Sequence, residues 1–332
     1  MKRPSRSRNA KAGFTLVEML VVISIIAILA GLTIPAVLGM IGRGTDAAVR
    51  MQISQLEMAC QAYKEKFGEY PPDFTNVTNA TVQNAILVHL SKAFPRYQPG
   101  SWATFKSDVQ TNWGLDVETL DALGSLTFWL GGQPDWLADS TGDVTVTVGG
   151  TTITVVSKKP VKGFLGFSAD PTSPFAPAPG TAAATALGSS SPSRIGPFFE
   201  FDTNSLKYST SHGVMLWPTK ACNKTNDYAI VYFCASNGNY LNLLSDGSSQ
   251  VKSCGVVRPA ADSNLTSAAA GITWINPSSI QIFCSGRDTT YTALTSTSLG
   301  DCLLFPSGAN YGANTFDDIT NFSRGKLEDD IP

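Results

Sequence analysis

The side chain most in need of a chemical explanation is Glu18, a carboxylate standing at the head of an apolar run, Met19 to Gly42, that contains no charged residue. An unpaired charge buried in such a segment costs several kcal/mol, so Glu18 requires a partner. The other reactive residue types are placed less suggestively. There are two histidines, His89 and His212, too few for a histidine-rich metal centre. His89, in Val88-His89-Leu90, reads as a packed or surface residue, and His212, in Thr210-Ser211-His212-Gly213, as a turn residue with no Gly-x-Ser-x-Gly elbow beside it. Asp135, Asp139 and Asp143 are spaced by four but lack the glycine and glutamate of a calcium-binding EF-hand loop, and Ser236-Asn237-Gly238-Asn239 lacks the lysine of a phosphate loop. No catalytic or cofactor-binding residue is assigned, and the chain is not expected to be an enzyme.

Cys60, Cys222, Cys234, Cys254, Cys284 and Cys302 contain no Cys-x-x-Cys pair of the kind that would point to zinc. Cys60 falls on a helical stripe and reads as a small packed apolar residue. Charged residues make up 15% of the 332, and Gly, Ser, Thr and Asn are abundant after residue 70, a composition that fits an exported, loop-rich surface.

Glu18 is positioned by a helix that the sequence makes long. The uncharged run is enough to cross about 30 Å of hydrocarbon at 1.5 Å per residue. Ahead of it lie Lys2, Arg3, Arg6, Arg8 and Lys11 with no acid among them, a cluster expected to stay cytoplasmic while the remaining chain is exported. The apolar run is longer than the core of an ordinary secretory signal. Beyond it, Gly39, Gly42 and Gly44 predict a weak point where the helix bends or melts. Then Val49, Ile53, Leu56, Cys60, Tyr63 and Phe67 recur at steps of four and three, one apolar stripe with Arg50, Gln52, Gln55, Glu57, Gln61, Lys64 and Glu65 between them. Gly68 offers a cap and Pro71-Pro72 forbids continuation. The span from Phe14 to Phe67 is roughly 80 Å if unbroken.

Gly13 followed by Phe14-Thr15-Leu16-Val17-Glu18, behind a basic leader and ahead of an apolar span, resembles the class III signal of type IV prepilins and type II secretion pseudopilins. The resemblance implies that a prepilin peptidase cuts after Gly13 and methylates Phe14, and that Glu18 pairs with the amine of Phe14 on an adjacent subunit in a filament. Pro35 falls where the family often has a helix-weakening proline. Removing residues 1–13 would leave 19 basic residues against 26 acidic ones, a net of −7, with no sign of nucleic-acid binding. The fold class implied is α+β and pilin-like: a long N-terminal helix, transmembrane in its first half (about 16–42) and amphipathic in its second, packed on the antiparallel sheet of a head covering residues 69–332.

Within the head, residues 80–94 predict a helix burying Val82, Ile86, Leu87, Leu90 and Phe94, and Glu118 to Leu130 predict a second, stopped by Gly131-Gly132. Residues 143–148 and 151–156 alternate around Gly149-Gly150 and predict a hairpin with a two-residue turn. Pro171 to Ser193 carries no charge and reads as a surface linker or long loop. Phe198 to Phe201, Tyr228 to Phe233 and Ile280 to Phe283 read as strands of a sheet laid across the helix stripe.

Ile280 to Asp288 resembles the last strand and following loop of major, G-type pseudopilins, and Phe316-Asp317-Asp318-Ile319 the acidic pair that closes that loop. In that family the carboxylates hold calcium, so the resemblance implies Asp288, Asp317 and Asp318 as ligands. The separation of about thirty residues between Asp288 and the pair exceeds the family's usual spacing. Cys302 lies inside this insertion, and Cys284 with Cys302 is the preferred disulfide.

The expected function is a structural subunit of a type II secretion pseudopilus or type IV pilus-like filament, anchored in the inner membrane by a single pass with its head in the periplasm. The partners implied are a prepilin peptidase, sister subunits, and an inner-membrane assembly platform with its ATPase. The alternative is a membrane-anchored exported binding module or hydrolase whose head acts without filament assembly.

Overall fold

The computed structural model describes residues 15–75, 77–137, 144–155, 160–210, 212–218, 229–236, 240, 260–264, 272–286, 291, 302–313 and 315–332. Contacts divide the chain into two compact units, Met1–Thr45 and Asp46–Pro332, and the boundary falls within the first helix.

That helix, α1 (Leu16–Phe67), has 52 residues and begins at the expected place. In the first unit it presents Leu16–Ile34, nineteen residues long and apolar enough to cross a membrane, none of them buried. The polar groups inside this stretch are satisfied locally, since Ser24 Oγ donates to the Leu20 carbonyl at 2.8 Å and Thr33 Oγ1 to that of Leu29 at 2.9 Å. The local melting expected around Gly39 to Gly44 is absent, and the helix is continuous from residue 35 to residue 44. Each glycine costs roughly 1 kcal/mol against alanine, a penalty that a helix already nucleated on both sides absorbs.

In the second unit all six stripe residues of α1, Val49, Ile53, Leu56, Cys60, Tyr63 and Phe67, are buried. Gln52, expected on the polar face, is buried too, whereas Gln55, Gln61 and Glu65 are exposed. The chain leaves the helix at Gly68, whose N–H donates to the Lys64 carbonyl at 2.7 Å. Next comes α2 (Ala80–Ala93), capped by Asn79 and burying Val82, Ile86, His89 and Leu90, with Phe94 buried just past its end. The helix α3 (Trp102–Trp113) is unexpected, although Ser101 caps it and Trp102, Phe105, Val109 and Trp113 draw a helical stripe.

The helix expected over Glu118 to Leu130 forms only at its C-terminal end: up to residue 124 the chain makes turns, and Ser125 and Leu126 lead in α-helical geometry into a π-helical turn, Thr127–Gly131. Asp121 interrupts the earlier part: its Oδ1 accepts from the Leu123 N–H at 2.8 Å, a local bond that competes with the helical ladder.

The strands are short: β1 (Pro134–Trp136), β2 (Val144–Val148), β3 (Thr151–Val155), β4 (Val161–Phe164), β5 (Phe167–Ser168), β6 (Arg194–Ile195), β7 (Leu206–Ser209), β8 (Gly213–Leu216), β9 (Val231–Cys234), β10 (Ala261–Asp262), β11 (Ile280–Cys284), β12 (Leu304–Phe305) and β13 (Ile319–Thr320). The β2–β3 hairpin pairs Val148 with Thr151, so Gly149 and Gly150 form the whole turn; both have positive φ, as a primed two-residue turn requires. Asp143 and Val156, at the outer ends of the expected hairpin, lie outside the described residues.

The central sheet is antiparallel in the order β13-β11-β9. Strand alternation splits its side chains between two cores. Tyr232, Ile280, Ile282 and Cys284 join the cluster containing the α1 stripe, while Val231, Phe233 and Phe283 join Met215, Trp217 and Cys302 on the other side. The expected sheet across the helix stripe is therefore present, and the chain is an α+β protein consistent with a pilin-like fold.

Three further expectations fail. Phe198 to Phe201 is not a strand, though Phe201 is buried and Phe198 packs between Tyr63 and Phe67. The low-complexity stretch 171–193 is not simply a surface spacer, because Phe175, Ala178 and Ala183 are buried and residues Ala182–Leu187 form helix α4. Arg194 secures it, donating to the carbonyls of Leu165, Gly166 and Ala176 and to Gln133 Oε1. Finally, Cys284 and Cys302 form no disulfide, since their side chains belong to the clusters on opposite faces of the sheet. Cys222 and Cys254 lie outside the described residues, as does Tyr228.

Candidate functional site

The N-terminal site is built on the first turn of α1. Gly13 and Phe14, the expected cleavage and methylation positions, lie outside the described residues. Glu18 is described, and it is engaged with Thr15. The Thr15 N–H donates to Glu18 Oε2 at 2.7 Å, the Thr15 hydroxyl donates to the same oxygen at 2.8 Å, and the Glu18 N–H donates to Thr15 Oγ1 at 3.2 Å. With the Thr15 carbonyl accepting from the Met19 N–H at 3.2 Å, Thr15 is the N-cap, Glu18 is the third helical residue, and the pair forms a capping box. Thr-x-x-Glu at positions 15–18 is the sequence signal for it. The carboxylate also sits where the helix dipole favours negative charge. Within one chain, then, neutral donors satisfy one oxygen of Glu18 without a cation.

The second site lies after β11. Gly286 packs so closely on the acidic pair that a Cβ there would lie 2.1 Å from the Asp317 carbonyl oxygen and 2.4 Å from Asp317 Oδ2. Its N–H donates to Asp318 Oδ1 at 3.3 Å, and Asp318 is buried. The Asp317-Asp318 pair therefore lies against Gly286, two residues after β11. Two carboxylates beside a backbone turn are the oxygen donors a hard cation takes. Asp288, the third residue expected, lies outside the described residues. Among the described residues no three His, Cys, Asp or Glu side chains come together as a metal site.

Both histidines turn out to be buried members of hydrogen-bonded pairs, which their sequence neighbourhoods do not reveal. His89 lies between Glu69 and Tyr63: its Nδ1 donates to Glu69 Oε1 at 2.7 Å, and the Tyr63 hydroxyl donates to its Nε2 at 2.8 Å. Lys92 holds the other Glu69 oxygen at 2.7 Å. The His89 hydrogen bond, with Lys92 and against some desolvation, brings the Glu69 carboxyl down to about 2. Burial in turn lowers His89 below the usual histidine value, so the ring is neutral at pH 7 and can accept from Tyr63. His212 Nδ1 donates to Asp121 Oδ2 at 2.8 Å, both side chains being buried. Ser211 lies outside the described residues.

An unburied apolar helix of membrane-spanning length, opening on a capped carboxylate and followed by a compact α+β unit, is consistent with a membrane-anchored protein. Residues 8–34 match the prokaryotic N-terminal methylation motif. The match takes in Gly13, Phe14 and Glu18, and it supports a type IV pilin-like protein, processed by a prepilin peptidase and assembled with other pilin subunits. No curated protein and no solved structure matches the chain.

Proposed function

We propose that this chain is a non-enzymatic structural subunit of a secretion pseudopilus, cut between Gly13 and Phe14, methylated on Phe14, and held in the inner membrane by one pass with its head in the periplasm. The observation that carries the reading is the methylation motif at residues 8–34 running directly into an unburied apolar helix with Glu18 in its first turn. On assembly the Glu18 carboxylate exchanges the neutral donors of its own Thr15 for the Phe14 amine of a neighbouring subunit. That exchange replaces neutral donors with a cationic one, so the carboxylate gains a counter-charge in a medium where an uncompensated charge is costly. An assembly platform and its ATPase would supply the work, because nothing assigned on this chain hydrolyses nucleotide.

The preference for a secretion pseudopilus over a surface pilus is supported by the acidic pair against Gly286. Asp317 and Asp318, with Asp288, would hold calcium there and tie the loop after β11 to the C-terminal segment. The test of the central reading is mass spectrometry of the mature protein: a methylated Phe14 N-terminus supports it, and a chain retaining residues 1–13 or cut beyond Ala36 overturns it.

A further inference from the structure

A cavity of about 450 Å³ opens between the end of α1, helix α2 and the end of β9. Two carboxylates face it, and their surroundings differ. Glu69 is compensated by Lys92 and hydrogen-bonded by His89. Asp73 is held by neutral groups, accepting the backbone N–H of Thr75 on Oδ1 at 3.1 Å and that of Cys234 on Oδ2 at 2.8 Å, and among the described residues it has no ion pair. The other lysine of the cavity wall, Lys64, is held over the Tyr70 ring, 4.2 Å from its centroid. Burial pushes the Asp73 carboxyl up to about 6, as expected for an anion removed from water without a counter-charge. Each Asp73 oxygen accepts one backbone hydrogen bond and keeps acceptor capacity for another.

We propose that this cavity binds an organic cation, a primary ammonium or guanidinium group on an apolar stem, with Asp73 as its counter-ion. The volume falls within the usual range for small-ligand sites, and Val82, Ile86 and Tyr70 give the stem apolar walls. A metal ion fits less well, since the described residues bring no third ligand to Asp73. The cation comes either from a free amine or from a lysine or arginine side chain of a partner protein. The proposal is independent of filament assembly.

The test uses the full chain in detergent micelles, titrated calorimetrically with n-butylammonium chloride. Sodium chloride at equal ionic strength and n-butanol serve as the salt and neutral controls. Saturable binding is expected for n-butylammonium alone, weakened at least tenfold in Asp73→Asn. Ala85→Trp, which fills the cavity from α2, is expected to weaken it comparably and guards against misfolding of the first variant. Absence of saturable binding to the wild type, equal binding of n-butanol, or unchanged affinity in either folded variant overturns the proposal. Cadaverine and the peptide Gly-Gly-Lys-Gly-Gly then separate the sources: tighter binding of the diamine assigns a free amine, and tighter binding of the peptide a partner's side chain.

Discussion

Arg50 Nη1 donates to the carbonyl oxygen of Arg324 at 2.6 Å, so residues 274 positions apart join the C-terminal segment to the amphipathic half of α1. Asn321 repeats the contact two turns on, where its Nδ2 donates to Glu57 Oε1 at 3.3 Å. The tail itself is braced by the Arg324–Asp330 ion pair at 2.5 Å. Arg50→Ala removes this long-range hydrogen bond and leaves the Arg324 carbonyl to water, a loss of about 0.5–1.5 kcal/mol. A thermal melt of the variant should drop by several degrees, and limited proteolysis should release the C-terminal segment first.

Glu69 gives the fold an acid limit. Its carboxyl is held at about 2 against an ordinary 4.5, so the stability it contributes is present above pH 4.5 and is lost as the pH falls from there toward 2. Glu69→Gln should lower the melting temperature at pH 7 and converge with the wild type near pH 2. A difference between the two that does not shrink with acid would remove this carboxylate as the cause.

Glu18→Ala deletes half of the capping box and, on the filament reading, the partner of the Phe14 amine. Processing should proceed, since the cut lies five residues upstream, while assembly is abolished. Electron microscopy showing normal filaments from the variant would discredit the proposed exchange. Thr15→Val separates the two roles: it removes the local hydroxyl bonds and leaves the carboxylate free to pair, so filaments should still form.

From Met51 to Ala62 the exposed face of α1 carries no charge: its residues are Met51, Ser54, Gln55, Met58, Gln61 and Ala62. Arg50, just before this interval, and Glu57, the charged residue within it, bond to the C-terminal segment instead. Met58 is 63% exposed, so Met58→Glu should change the stability of the single chain by no more than about 0.5 kcal/mol. If this face lies inside a filament, the same change should cut filament yield by at least tenfold, scored on sedimented material.

Calcium at the acidic loop should raise the melting temperature, and a chelator should reverse the gain. Asp318→Asn is expected to remove the response altogether. A wild-type melt that is indifferent to both calcium and chelator would dismiss Asp288, Asp317 and Asp318 as ligands.

Periodic and local features are legible in the chain itself. The α1 stripe, the buried face of α2, the two-residue hairpin turn and the strand at Ile280 each follow from spacing that a short window contains. Where spacing misleads, a distant partner decides the outcome. The turns that stand in the first half of the helix expected over Glu118 to Leu130 centre on Asp121, whose carboxylate is claimed by His212, 91 positions away. The spacer-like stretch 171–193 is drawn into the core around Phe175 by contacts with Trp113 and Phe105.

What the sequence by itself determined is the part that acts through local chemistry: an apolar helix of membrane-spanning length, the processing motif ahead of it, and the carboxylate in its first turn. These depend on neighbours within a few residues, because a helix closes its own hydrogen bonds. The tertiary structure alone decided which polar groups meet, placing His89 between Glu69 and Tyr63, Asp73 at a cavity where neutral backbone donors hold it, and Cys284 and Cys302 in the clusters on opposite sides of one sheet. Those pairings follow from burial and strand register, which are set by contacts across the whole fold and leave no periodic mark in the chain.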